Sequence, residues 1–192
     1  MAEGLSGGDF SCAQVIILAS PYEQIAVWHG HVDADLFGVY LARLARYYNN
    51  ARIILEINGH GLTTLTTLTK GSPGHQMLPY KHLYNRVVFD ESGKKTTKEG
   101  WKTTRPSKLL LIDDLKAAIR QGDIIIHDKK TLDELANVVQ FEDGSIGAPH
   151  GCFDDRVIAL ALTIQASKTM SIMTSEEESY ESEPVGCKVS GF

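Results

Sequence analysis

The sequence predicts an α/β domain with a mixed central sheet and flanking helices. Three observations carry that expectation. Two β-branched, apolar runs lie close together at residues 12–19 and 25–29. Apolar residues then recur at helical spacing after Asp33, and a third short apolar run covers residues 53–57. Strand, strand, helix, strand is how such a domain begins.

The first run follows a loop with Gly4, Gly7 and Gly8 that ends in Asp9, and Ser20-Pro21 closes it. With residues 25–29 it forms an expected hairpin. Asp33 is the expected N-cap of a helix carrying Leu36, Phe37, Tyr40, Leu41, Leu44, Tyr47 and Tyr48, and Asn49-Asn50 stops it. The third run, Ile53-Ile54-Leu55-Glu56-Ile57-Asn58-Gly59, reads as a short buried strand with one carboxylate in its middle. Residues 59–70 suit a helix at the sheet edge. Regular patterning mostly fails over residues 71–107, apart from a possible strand at 84–89.

Pro106-Ser107 introduces an expected helix over 108–120, ended by Gly122. Ile124-Ile125-Ile126 reads as a short buried strand. Thr131 is the expected cap of a helix over 132–141, Asp143-Gly144 a turn, and residues 154–167 the last helix. The folded unit is expected over residues 1–169. Residues 170–192 are polar, acidic and without period, as in a disordered tail.

With 192 residues, the chain can build one domain with a substantial core. A net charge of −5 does not mark a general nucleic-acid binder, so any basic surface must be local. Cys12, Cys152 and Cys187 are widely spaced and match no zinc pattern, which points to reduced thiols. No apolar run approaches the roughly 20 residues of a membrane span. Met1-Ala2-Glu3-Gly4 does not open a signal peptide. The expectation is a soluble, intracellular protein.

Two acidic sites stand out. Glu56 interrupts an apolar strand, where an isolated carboxylate is very costly unless partnered. Asp154-Asp155 opens a nearly all-apolar helix after the small-residue stretch Gly144-Ser145-Ile146-Gly147-Ala148-Pro149-His150-Gly151. Acids at a helix N-terminus often serve only as favourable charges there, but a mid-strand acid has no routine structural task. Acids from separate elements suit two hard cations, magnesium or manganese, clamping the oxygens of a phosphoryl displacement.

Four motifs then occur in order: Ala2-Glu3-Gly4 through Gly7-Gly8-Asp9-Phe10-Ser11, Ile54-Leu55-Glu56-Ile57-Asn58-Gly59, Gly100-Trp101-Lys102-Thr103-Thr104, and Asp154-Asp155-Arg156-Val157-Ile158-Ala159-Leu160. This series resembles the C-terminal nuclease domain of tailed-phage terminase large subunits, from about residue 2 to 166. The resemblance implies an RNase H-like three-layer fold with a basic β-hairpin insertion. It implies a two-metal endonuclease, using Mg2+ or Mn2+, that cuts concatemeric viral double-stranded DNA during packaging. An ATPase motor domain of the same full-length protein, the terminase small subunit and the portal are the implied partners, in the cytoplasm of an infected bacterium.

Glu56, Asp154 and Asp155 carry over as catalytic metal ligands, and Asp9 matches a second acid of the first motif. Glu3 aligns with a position that is often acidic. The family pattern places one further acid ahead of the stretch matching Ala2-Glu3-Gly4, where this sequence has only Met1. The resemblance therefore implies poor cleavage by these 192 residues alone. No Walker A pattern occurs, as expected for the nuclease part.

Residues 71–108 carry eight Lys or Arg against Asp90, Glu91 and Glu99. Lys94, Lys95, Lys98, Lys102, Arg105 and Lys108 are the candidates for a DNA-backbone surface. Trp101 would pack or position the hairpin. The rivals are another RNase H-like nuclease, such as a resolvase or integrase, and a degenerate domain that binds DNA or a motor partner without cutting. The Gly100 to Thr104 block and the basic insertion weigh against the first.

Overall fold

The computed structural model describes residues 10–89 and 91–170. Strands β1 (Ser11–Ile17) and β2 (Tyr22–Gly30) pair antiparallel with Ser11 opposite Gly30, and the register shifts between Val15 and Ile16. Helix α1 (Ala34–Tyr47) follows, with Asp33 at its N-cap, Asp35 in its first turn and Arg46 in its last. Those charges oppose the helix dipole in the favourable sense. Asn49 and Asn50, both at positive φ (53° and 55°), end the helical path, a conformation Asn tolerates better than most residues. Helix α2 (Gly61–Lys70) lies close against α1, because a Cβ on Gly38 would sit 2.9 Å from that of Thr67.

The expected strand around Glu56 departs from the sequence reading. Residues 53–57 are extended, but they form two isolated parallel bridges rather than a ladder. Ile53 N–H donates to the His82 carbonyl and Tyr84 N–H to that of Ile53 (2.9 and 2.8 Å). Trp101 N–H donates to the Leu55 carbonyl and Ile57 N–H to that of Trp101 (2.7 and 2.8 Å). The basic segment, not the β1–β2 hairpin, supplies the partners of this run.

Strands β3 (Asn85–Phe89) and β4 (Lys95–Glu99) form an antiparallel hairpin. Helix α3 (Arg105–Gln121) starts earlier than the expected residue 108. Thr104 and Ser107 form a reciprocal capping box, and Pro106 sits inside the first turn, where its missing N–H costs nothing. Gly122, at φ 74°, ends the helix. Strand β5 (Ile124–Ile125) adds parallel to β2, giving the mixed order β1-β2-β5.

Helix α4 (Lys129–Asn137) replaces the helix expected over 132–141. Its cap is Asp128, whose carboxylate accepts the N–H and hydroxyl of buried Thr131 (2.9 and 2.7 Å). Residues beyond it instead form β6 (Val139–Gln140) and β7 (Ile146–Gly147), joined through the Asp143-Gly144 turn. Helix α5 (Asp155–Ser167) completes the described chain.

Two apolar clusters lie on opposite sides of the sheet residues. One gathers Phe37, Val39, Leu55, Leu68 and Leu83; the other gathers Leu111, Leu115, Ile124, Val157 and Leu160. Neighbouring Leu55 and Ile54 join different clusters, as alternation along an extended chain requires. Each fully buried Leu or Phe contributes roughly 1.5–3 kcal/mol of transfer free energy. The result is a mixed α/β fold with small mixed sheets. Among the described residues, no helix is long and apolar enough to cross a membrane.

Candidate functional site

Glu56, Asp154 and Asp155 line one groove of about 990 Å³. Residues 12–18 and 53–56 line it, together with Phe37, Leu41 and Leu44 of α1 and Ile158 and Leu162 of α5. All three acids are half-buried. Asp9 and Glu3 lie outside the described residues. His150 is exposed on the loop before α5.

Asp154 occupies the N-cap position of α5 but makes no side-chain capping bond there. Its carboxylate instead accepts a hydrogen bond from Lys108 Nζ at 2.8 Å. Gly147 leaves space for that pair, since a Cβ there would lie 3.4 Å from Asp154 Oδ2 and 3.5 Å from Lys108 Nζ. Simple helix capping therefore does not account for Asp154. Asp155 lies beside His29, with Oδ2 4.0 Å from Nε2.

His29 is a site residue that the sequence reading missed. Its Nε2 is buried and has no hydrogen-bond partner among the described residues. Burial, then the Arg156 charge, holds its pKa below the ordinary imidazole value. Phe10 stacks on His29 and lies against His31, with centroids 4.4 and 3.9 Å apart. The available signal was the one used for Glu56: a polar side chain within an apolar strand.

A polar network fixes α5. Arg156 donates its backbone N–H to Glu134 (2.8 Å), its guanidinium pairs with the same carboxylate, and Asp128 lies 3.6 Å away. Gln14 of β1 donates to the Arg156 carbonyl (3.2 Å) and to the Thr131 hydroxyl (3.1 Å). Gln24 of β2 donates to Gln14 (2.6 Å). Buried amides and charges of this kind are stable only when satisfied. Burial raises the Asp128 pKa, but the Thr131 hydrogen bonds and Arg156 outweigh it and leave the group below its ordinary value. Burial pushes the Cys12 thiol up to about 12 despite the opposing Arg156 charge.

Glu56 is held by the bridge to Trp101, and Gly100 stands behind it. A Cβ on Gly100 would meet Ile57 Cγ2 at 2.3 Å and the Leu55 carbonyl at 3.0 Å, with φ at 75°. Only glycine allows both that conformation and that approach. Among the described residues, no group of three or more His, Cys, Asp or Glu is gathered tightly enough to hold a metal ion.

The basic candidates are spread out. Lys94, Lys95 and Lys98 are exposed on the hairpin, and Lys95 and Lys98 point to opposite faces because strand side chains alternate. Lys98 stands opposite Arg86, and Lys95 opposite exposed Phe89. Lys102 is exposed, Arg105 lies 3.9 Å from Asp143, and Lys108 is engaged by Asp154. The hairpin is rooted beside Glu56, with Gly100 N–H donating to the Tyr84 carbonyl at 2.9 Å.

No protein-family model matches this chain, and no curated protein matches it.

Proposed function

We propose that the chain is an RNase H-like, metal-dependent DNA endonuclease domain of the terminase large-subunit type. The observation that carries this reading is the placement of Glu56, Asp154 and Asp155 along one groove beside the root of a lysine-bearing hairpin. Carboxylate oxygens are the donors that Mg2+ and Mn2+ prefer. Unpartnered His29 Nε2 adds a polar atom turned toward Asp155. On this reading Glu56, Asp154 and Asp155, which are not drawn into one cluster among the described residues, would have to close around the metal, with Asp9, outside the described residues, as a fourth candidate. A metal held there would polarise a phosphate oxygen of the substrate and activate a water.

The chain's own residues do the remaining work. Lys94, Lys95, Lys98 and Lys102 contact phosphates without reading sequence. Lys108 neutralises Asp154 until the site is loaded. Viral double-stranded DNA is the substrate on this reading, with the motor domain, terminase small subunit and portal as partners in an infected bacterial cell.

Lys108 also favours a second reading. An ammonium already seated on Asp154 suits a domain that grips DNA without cutting it. Plasmid nicking with Mn2+ and fluorescence-anisotropy binding, run in parallel, separate the two. Metal-dependent nicking that disappears in Glu56→Gln supports the nuclease. DNA binding without nicking, with calorimetric Mn2+ uptake unchanged by Glu56→Gln, supports the second reading, and absence of both DNA binding and Glu56-dependent Mn2+ uptake rejects both.

A further inference from the structure

A second basic face lies on α1 and the segment after α2. Between Leu36 and Tyr84 the sequence holds Arg43, Arg46, Arg52, Lys70 and Lys81 against a single acid, Glu56. In a chain of net charge −5 this is a marked local excess of positive charge. None of these five cations pairs with a carboxylate among the described residues.

The three arginines are built into a row. Arg43 and Arg46, neighbours on the surface of α1, donate to the carbonyls of His75 (3.4 Å) and Leu78 (2.9 Å). The Arg46 guanidinium lies over the Tyr80 ring, 5.5 Å from its centroid. The Tyr80 hydroxyl donates to the Ala51 carbonyl at 2.6 Å. The next residue, Arg52, donates to the Leu83 carbonyl (3.4 Å) and lies over Tyr84 at 5.9 Å. Each guanidinium is held by a neutral carbonyl, and two of them also by a ring, so the charge is positioned without being cancelled. A guanidinium has five N–H donors, and most remain for a ligand. A planar fork already held in place loses less freedom when it takes phosphate oxygens.

We propose that this row is a phosphate-binding track for DNA flanking the groove, separate from the lysine hairpin. The proposal rests on the nuclease reading for its ligand and adds where the flanking strand runs. Continuity with the acids supports it. Arg52, Lys81 and His82 line the same groove as Glu56, Asp154 and Asp155. Arg52 stands four positions before Glu56 along an extended segment, a separation of about 13 Å. That is about four phosphate steps along one strand. Arg46 and Arg43 continue the line past Arg52 through Tyr80. Tyr47, 82% exposed and edge-on to Tyr48, stands between them and Asn49 in the chain. An open aromatic face among arginines suits a sugar or base better than the carboxylates of an acidic polypeptide.

The test is fluorescence anisotropy with a labelled DNA duplex in EDTA, over a range of salt concentrations. Metal plays no part in it, so the nuclease reading stands or falls separately, on Mn2+-dependent nicking. Arg43→Gln/Arg46→Gln is expected to weaken binding at least about tenfold near 0.1 M salt and to lower the slope of log affinity against log salt by about two. An unchanged slope, whatever the affinity, overturns the proposal, because a merely structural role for the arginines would not release counterions. A parent chain that binds no duplex overturns it too. If circular dichroism shows the double variant unfolded, Lys81→Gln decides instead. Lys81 is exposed and its ammonium forms no ion pair among the described residues. A slope lowered by about one then supports the track, and an unchanged slope overturns it. Polyglutamate that displaces the duplex as well as unlabelled DNA does, charge for charge, assigns the face to an acidic protein and also overturns it.

Discussion

Lys108 Nζ sits 2.8 Å from Asp154 Oδ2 in a half-buried setting, with side-chain exposures of 29% and 24%. A fully exposed pair would be worth about 0–1 kcal/mol, and this one is better shielded. The ammonium and a divalent cation compete for the same carboxylate. Lys108→Met is expected to tighten Mn2+ binding roughly tenfold, about 1.4 kcal/mol, by isothermal titration calorimetry. Asp154→Asn should weaken it. Equal affinities in all three proteins would remove Asp154 from the metal site.

Arg156 joins the start of α5 to Glu134 and Asp128, and its side chain is only 12% exposed. Removing one partner of a buried ion pair leaves an uncompensated charge and costs about 3–5 kcal/mol. Arg156→Ala should lower unfolding stability by that order in urea titrations. A loss below about 1 kcal/mol would mean that the pair behaves like a surface pair.

Asp128 caps α4, and its pKa lies below the ordinary carboxyl value of 3.8. As pH falls, the unfolded chain takes up this proton before the folded one. The group's contribution is therefore complete above 3.8 and is lost as pH falls through the folded value. Asp128→Ala should cost roughly 0.5–2 kcal/mol at neutral pH. The gap from the parent protein should narrow on the acid side of 3.8 in pH-dependent denaturation. A gap that stays constant to the lowest pH would show that the carboxylate charge is not what stabilises the cap.

Gly100 and Gly122 have nearly the same backbone angle, φ 75° and 74°, but different surroundings. Gly122→Ala meets nothing within 4 Å and should cost only the left-handed strain, about 1–2 kcal/mol. Gly100→Ala adds a collision with Ile57, so it should cost about 1–3 kcal/mol more. Thermal unfolding of both variants measures the difference. Equal losses would mean that the Glu56 segment yields freely.

The hairpin and α1 were legible because their signals are local: β-branched runs, an N-cap Asp and paired Asn stops. The starts of α3 and α4 were misplaced because the choice of cap depends on side-chain geometry. Thr104 caps α3 through a Ser at the third helical position, and Thr131 is a buried client of Asp128 rather than the cap itself. The apolar run around Glu56 announced an extended, partly buried segment. Its partners could not be read there, since hydrogen-bonding edges carry no residue signature. The acids were legible as anomalies in apolar contexts. His29 shared that mark, while the Lys108–Asp154 pair spans 46 positions and no spacing rule reaches it.

β1 and residues 53–57 share no backbone hydrogen bond, so the sheet region has a seam along its length. Only side-chain packing through the helices carries cooperativity across it. The consequence is calorimetric. Heat should loosen the β1–β2–α5 side and the side containing residues 53–101 as partly separate units. The measured enthalpy of unfolding should then exceed the van't Hoff enthalpy.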